Sequence, residues 1–302
     1  MNCAIIGSTK IAEEHAEQLI RNGIKEVTFI SRSKIKGKKI IEKVKKKFSK
    51  NIFFSQSDLK VLKKKKFNII CICSSTEVHH QHLRFISGLK STLIIEKPIV
   101  SLLELKNKYE IFLKGFYKKN KKVVVCYPYI YLAKNFKKFV NINKKLETVD
   151  FEFQTGGRSR FRKICINLMP HALSFFHSFF LDKSFLNNIY KKNNLVIQKY
   201  KWKVSFVVGT TAFNLIFKEK ESKKTSLKLQ LNKMKFARKT LKSKNKFINF
   251  LQDYQSKKKK IINNPMGEFY TEFFKNIDNS NYYKDNKKLT LSIMKKNYFL
   301  IN

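Results

Sequence analysis

Six short runs rich in β-branched and apolar residues recur through the first 127 positions, at Cys3–Ile6, Glu26–Ser31, Asn51–Phe54, Asn68–Cys73, Thr92–Glu96 and Lys122–Cys126. Most are apolar at consecutive positions, which suits strands covered on both faces. Between them, apolar residues fall three and four apart over Ile11–Arg21, Ile35–Phe48, Val78–Ile86 and Leu102–Lys118, as amphipathic helices require. Strand and helix in alternation is the pattern of βαβ units. Residues 1–127 are therefore expected to fold as a doubly wound α/β domain on a parallel sheet.

The pattern changes after a helical stretch at Leu132–Val140. Val149, Phe151 and Phe153 alternate with Asp150, Glu152 and Gln154, and the same period of two returns at Leu227, Leu229 and Leu231, after the runs Val204–Val208 and Phe213–Phe217. Alternation marks strands with one buried and one wet face, so residues 128–302 are expected to form an α+β domain on a mostly antiparallel sheet. Met266, Phe269, Tyr270, Phe273, Phe274 and Ile277 make one helical stripe, read as packing rather than as a cofactor contact. No internal repeat or flexible linker is evident.

Length and charge refine this picture without redirecting it. A chain of 302 residues has room for two domains of about 150 residues each. The formal charge is +44, from 65 Lys+Arg against 21 Asp+Glu, and attraction to phosphate at low salt follows. The lysines run along the whole chain, on expected helices and in expected loops such as Lys63–Lys66 and Lys257–Lys260, with no zinc finger, helix-turn-helix signature or RNP-like aromatic motif. A specific nucleic-acid partner is not expected. Nor is a membrane one, since no run of about 18 apolar residues is free of charge. The opening Met1–Gly7 lacks the basic stretch and cleavage site of a secretory signal, and the five scattered cysteines suit free, buried thiols in a reducing compartment, so a cytoplasmic protein is expected. Neither the cysteines nor His79-His80-x-His82 has the paired spacing of a metal site, and no metal is expected.

Candidate chemistry begins where the first strand runs into Gly7-Ser8-Thr9-Lys10-Ile11-Ala12 and then a helix. In that setting a G-x-G-x-x-G/A turn binds a dinucleotide. Gly7 permits the tight turn, Ala12 lets the helix pack close to the sheet, and the helix N-terminus offers N–H groups and a positive dipole end to a pyrophosphate. Gly7, Ser8, Thr9, Lys10 and Ile11 are thus candidate cofactor-binding residues. Thr9 stands in place of the second glycine: either its hydroxyl or that of Ser8 bonds a phosphate, or the site is weakened. After the second strand, where a carboxylate would hold the ribose hydroxyls of NAD, stand Ser31, Arg32 and Ser33. A guanidinium and hydroxyls there favour a 2′-phosphate, and hence NADP over NAD.

Strand four leads into Cys73-Ser74-Ser75-Thr76-Glu77-Val78-His79, and strand five into Glu96-Lys97-Pro98. In the second half, Asn167-Leu168-Met169-Pro170-His171 precedes the apolar stretch Ala172–Phe180. This set resembles the Gfo/Idh/MocA oxidoreductases, whose pattern is a Rossmann turn, a T-P-x-x-x-H-like segment, an E-K-P and a D-x-x-x-H helix. The resemblance extends to the late helix from Asn264-Pro265-Met266 to Ile277 and covers essentially the whole chain. It implies an N-terminal Rossmann domain, NADP or NAD as cofactor, and hydride transfer between nicotinamide and a hydroxyl carbon of a sugar, sugar derivative or cyclic polyol. It further implies that Lys97 sits beside the nicotinamide as the cation stabilising the developing alkoxide. His171 would be the general acid or base, a role worth about 10²–10⁴-fold. Asn167, one turn away on the same helix face, would orient substrate. Ser74, Ser75, His79, Glu96 and Lys97 join the cofactor-binding set. Tyr127 and Tyr129 lie where the family passes to its substrate domain, though core packing is the plainer reading of both. A homo-oligomer paired through the open face of the second-domain sheet is likewise only what the resemblance implies.

The chain departs from that pattern in several places. Asn167 replaces an aspartate, Ser75 a proline and Thr9 a glycine. The glycines usual before the helix give way to Phe161-Arg162-Lys163, while Gly156-Gly157 occur earlier. Two readings stay open: a divergent enzyme, favoured because Lys97 and His171 are both retained, or a catalytically weakened member acting as a dinucleotide-binding or regulatory protein. Arg158, Arg160 and Arg162, clustered before Asn167, raise an anionic substrate such as a sugar acid or nucleotide sugar.

Overall fold

The computed structural model describes residues 1–48, 51–142, 145–180, 185–189, 192–221, 224–243 and 246–302. The chain forms two compact units, Met1–Cys126 with Phe269–Leu291, and Tyr127–Glu268 with Ser292–Asn302. The first carries β1 (Asn2–Ile6), α1 (Lys10–Arg21), β2 (Glu26–Ile30), α2 (Lys34–Lys45), β3 (Phe53–Ser57), α3 (Val61–Lys64), β4 (Ile69–Ile72), α4 (His79–Ile86), β5 (Thr92–Glu96), α5 (Leu102–Leu105), α6 (Tyr109–Lys119) and β6 (Val123–Cys126). Its six strands are all parallel, in the order β3-β2-β1-β4-β5-β6. The helix expected over Leu102–Lys118 is broken at Lys106, which takes φ 47° and opens a 3-10 turn between α5 and α6. Apolar spacing carries across that turn, so periodicity alone does not register the break. Lys63 and Lys64, expected in a loop, belong to α3.

The second unit carries α7 (Tyr129–Phe139), β7 (Thr148–Thr155), α8 (Arg162–Phe179), β8 (Lys192–Ile197), β9 (Lys201–Val208), β10 (Thr211–Glu219), β11 (Ser226–Leu231), β12 (Met234–Ser243), β13 (Lys246–Asp253) and β14 (Lys259–Ile262). The sheet order is β14-β13-β12-β11-β7-β10-β9-β8, with β7 and β10 parallel and the other pairs antiparallel. Phe151, Phe217, Val204, Leu227 and Leu229 are buried on the inner face. There α8 sets Phe175 and Phe176 against Phe151, at centroid distances of 5.5 and 5.3 Å. The outer face is polar: Asn214 donates to Asp150 at 2.8 Å, and Lys218 donates to Glu152 at 2.9 Å. β8 and β12–β14 lie beyond the strands that sequence alternation announced, and Lys259 and Lys260, expected in a loop, pair within β14. Strands with this much lysine carry a weak two-residue signal, and their pairing is set by neighbours in space.

Two C-terminal helices follow, α9 (Pro265–Lys275) and α10 (Ser280–Ile301). The Asn286 amide on α10 accepts from Val125 N–H at 2.8 Å and donates to its carbonyl at 3.0 Å, filling the open edge of β6 as a neighbouring strand would. Among the described residues no helix is long and apolar enough to cross a membrane.

Candidate functional site

In the first unit, the turn after β1 rests on the end of β4. Gly7 takes φ +136°, and a Cβ there would come within 2.7 Å of the Cys73 carbonyl oxygen, so both the turn and the close approach require glycine. Thr9 is the N-cap of α1 but makes no side-chain capping bond. Helical bonding starts with Glu13 N–H to Thr9 O at 3.2 Å. The N–H groups of Lys10, Ile11 and Ala12 thus precede the helical ladder and suit an anion. Ser31 donates to Ser8 Oγ at 3.1 Å, joining the ends of β2 and β1, and Ser33 accepts from Lys36 N–H as the cap of α2. The exposed Arg32 is the member of this trio with no partner among the described residues. A glycine-backed turn, an uncapped helix N-terminus and an outlying guanidinium fit a dinucleotide.

The segment after β4 is tied to the turn after β5 in the same unit. His79 is 1% exposed, with Nδ1 3.0 Å from Pro98 O and Nε2 2.9 Å from Ser74 O, and burial lowers its pKa. Ser74 Oγ meets His82 Nδ1 at 2.9 Å. Burial, then the positive neighbours His79, Arg32 and His80, press His82 down to about 4. Ser75 is exposed at the start of a 3-10 turn, and the Lys97–Pro98 peptide is cis. Within the otherwise buried run Thr92–Val100, Lys97 alone is half-buried.

Glu96 turns inward. Its Oε1 lies 2.7 Å from His15 Nε2, while His15 Nδ1 is 2.5 Å from the Tyr270 hydroxyl, and Cys71 Sγ is 3.3 Å from Cys73 Sγ. His15 shares the buried face of α1 with Ala12, Ala16 and Leu19. A histidine on an apolar stripe signals a polar partner, but does not say which. The fold also brings donor atoms of His15, Cys71 and Cys73 within 4.8 Å of one another, a proximity that linear spacing did not announce. Burial opposes charge on His15, yet Cys71 and Glu96 outweigh it and raise its pKa to about 10. Burial likewise opposes the Cys71 thiolate, but Cys73 and His15 outweigh it and bring that pKa down to about 6. The two shifts act oppositely on stability. The raised His15 contributes stability that is full below 6.5 and lost towards 10, whereas the lowered Cys71 contributes stability that grows from 6 to its full extent at 9.0. Stability carried by this pair is therefore expected to stay level between pH 6.5 and 9.0. Urea unfolding at intervals across that range reads it, and a steady rise or fall in stability would refute the pairing.

In the second unit, every residue of α8 from Ile164 to Phe176 is buried except Asn167 and His171, which are half-buried. The His171 ring packs on Tyr129 at 4.3 Å and Phe153 at 5.3 Å between centroids, and Tyr127 and Tyr129 are themselves buried. Asn167 Nδ2 donates to Ser159 Oγ at 2.9 Å, and Ser159 N–H donates to Glu219 Oε2 at 2.6 Å. Glu219 is buried against Gly157, where a Cβ would lie 2.4 Å from that carboxylate oxygen. Glu219 thus holds the loop that holds Asn167, a part that sequence reading did not assign. Arg158 pairs with Glu221 at 2.7 Å, and Arg160 lies 4.5 Å over the Tyr200 ring. Arg162 is exposed, with no partner among the described residues.

Residues 1–129 match the GFO_IDH_MocA family model, described as an oxidoreductase family with an NAD-binding Rossmann fold. No curated protein matches the sequence. Among solved structures, the chain is similar to a Gfo/Idh/MocA family oxidoreductase from Vibrio cholerae (12% identity, TM-score 0.63, covering 100% of this chain and 96% of that one). It is also similar to a 3-ketoreductase from Actinomadura kijaniata in complex with TDP-benzene and NADP (9%, 0.69, 97% and 94%). A third similar structure is a UDP-N-acetylglucosamine 3-dehydrogenase from Acidithiobacillus ferrooxidans (10%, 0.58, 98% and 96%). The chain is thus similar to the Gfo/Idh/MocA oxidoreductases: residues 1–129 match that family's NAD-binding Rossmann model, and the fold along its length is that of the similar solved structures.

Proposed function

We propose that this protein is an NAD(P)-dependent oxidoreductase that transfers a hydride between nicotinamide and a hydroxyl carbon of a sugar or sugar derivative, with NADP preferred. The carrying observation is that two otherwise buried runs leave only Lys97 in one, and only Asn167 and His171 in the other, within reach of solvent. A dinucleotide held at the turn after β1 would supply or accept the hydride. Lys97, as a cation, stabilises negative charge on the reacting oxygen; His171 takes or returns the hydroxyl proton, and Asn167 orients the sugar. Sugar chemistry is supported by the similar structures named as a 3-ketoreductase and a UDP-N-acetylglucosamine 3-dehydrogenase. Arg162 would meet an anionic group on such a substrate. The replacement of a carboxylate by Asn167 favours a second reading, a dinucleotide-binding protein with weakened catalysis.

Titration with NADPH and NADH, followed by nicotinamide fluorescence in moderate salt, tests the proposal. Saturable binding that prefers NADPH is expected, and Arg32→Ala should weaken NADPH about 10–100-fold while leaving NADH nearly unchanged. Absence of saturable binding for either cofactor would overturn the enzyme reading.

A further inference from the structure

Pro170 sits inside α8, between Asn167 and His171. Proline has no N–H, so the carbonyl four residues earlier, Ile166 O, loses its helical donor, and the ring crowds that same carbonyl. The gap falls in a stretch where Ile166 and its neighbours Cys165 and Leu168 are buried, out of reach of solvent. The donor comes instead from α10: Asn297, 0% exposed, extends Nδ2 to Ile166 O at 3.3 Å. The other end of the same amide accepts from Cys165 Sγ at 3.8 Å, which sets its orientation so that the NH₂ group faces the orphaned carbonyl.

We propose that Asn297 is a positioning residue for His171, supplying the hydrogen bond that Pro170 withholds and so fixing the course of α8 between Asn167 and His171. The course of a helix through a proline is set by where the freed carbonyl points, and here a buried amide on another helix holds that carbonyl. His171 directly follows Pro170, with its ring seated on Tyr129 and Phe153, so a change in the course of the helix there shifts the ring against both. The consequence for turnover rests on the proposed role of His171; the consequence for ring placement does not.

The experiment exploits the equivalence of the two donors. Asn297→Leu removes the amide at similar volume, and Pro170→Ala returns the N–H that bonds Ile166 O within the helix. In the full chain labelled at histidine, the His171 imidazole signals, assigned with His171→Asn, report the ring currents of Tyr129 and Phe153 without any substrate. Asn297→Leu is expected to move these signals and to lower kcat about tenfold with KM little changed, and Pro170→Ala combined with Asn297→Leu to return both near the starting values. If Asn297→Leu does not fold while the double variant does, donor equivalence is supported directly. Unmoved His171 signals in Asn297→Leu, or a double variant no better than the single one in signals or folding, would overturn the proposal. Signals that move and return in a protein with no measurable turnover would instead count against the enzyme reading alone.

Discussion

His171→Asn is expected to lower turnover by about 10²–10⁴-fold while leaving NADPH affinity unchanged, because under the proposed function the lost group would move a proton and the Rossmann unit would hold the cofactor. Asparagine keeps a polar side chain at a half-buried position but cannot accept and return a proton near neutral pH. His171 also packs on Tyr129 and Phe153, so some loss of stability accompanies the change. Thermal unfolding of the variant separates that loss from the kinetic one. Paired titration and steady-state assays then decide: a variant that binds NADPH normally and keeps more than half its turnover would remove His171 from the chemistry. Lys97→Ala should give a comparable kinetic loss, and if neither change alters the protein's biological role, the binding or regulatory reading gains.

The second large effect is expected at Gly7. Gly7→Ala places a Cβ within 2.7 Å of the Cys73 carbonyl oxygen, in a residue held at φ +136°. Backbone atoms at the end of a buried strand give way reluctantly, and strain and overpacking each contribute about 1–3 kcal/mol, so about 2–6 kcal/mol of stability should be lost. Dinucleotide affinity should fall as well, since the turn and the start of α1 move together. Gly23 is the control: it also has positive φ, +93°, but nothing lies within 4 Å of its would-be Cβ. Gly23→Ala therefore carries only the backbone part, and denaturant titrations of both variants isolate the contact. Equal losses in the two would mean that β1 and β4 do not meet as closely as described.

The two sites differ in how much of them could be read from the chain. The turn at Gly7 was legible because strand, glycine and helix are contiguous, and steric rules act within a few residues. The spacing of Asn167 and His171 was legible for the same reason: four residues make one helical turn. Pro170 was visible as well, but its consequence was not, because the donor that bonds the freed Ile166 carbonyl is 131 residues beyond Ile166, in α10. That Ser31 bonds Ser8 and that Ser33 caps α2 could not be read from the chain, while Arg32 stands exposed between them as expected of a loop residue. The break at Lys106 and the lysine-rich strands β12–β14 were likewise missed, the first because periodicity passes through a 3-10 turn and the second because so much lysine leaves a faint alternation.

By itself the sequence determined the alternating α/β first half, the period-two strands of the second, the tight strand-to-helix turn at Gly7, and the one-turn spacing of Asn167 and His171. These follow from local sterics and from which face of each element avoids water. Only the tertiary structure decided the partners of the buried polar groups. Glu96 meets His15 across 81 residues, Tyr270 meets His15 across 255, and Asn297 completes the helix that Pro170 interrupts. Burial makes an unpartnered polar group costly, so each must have a partner, yet nothing in a linear pattern says which distant residue packing will deliver.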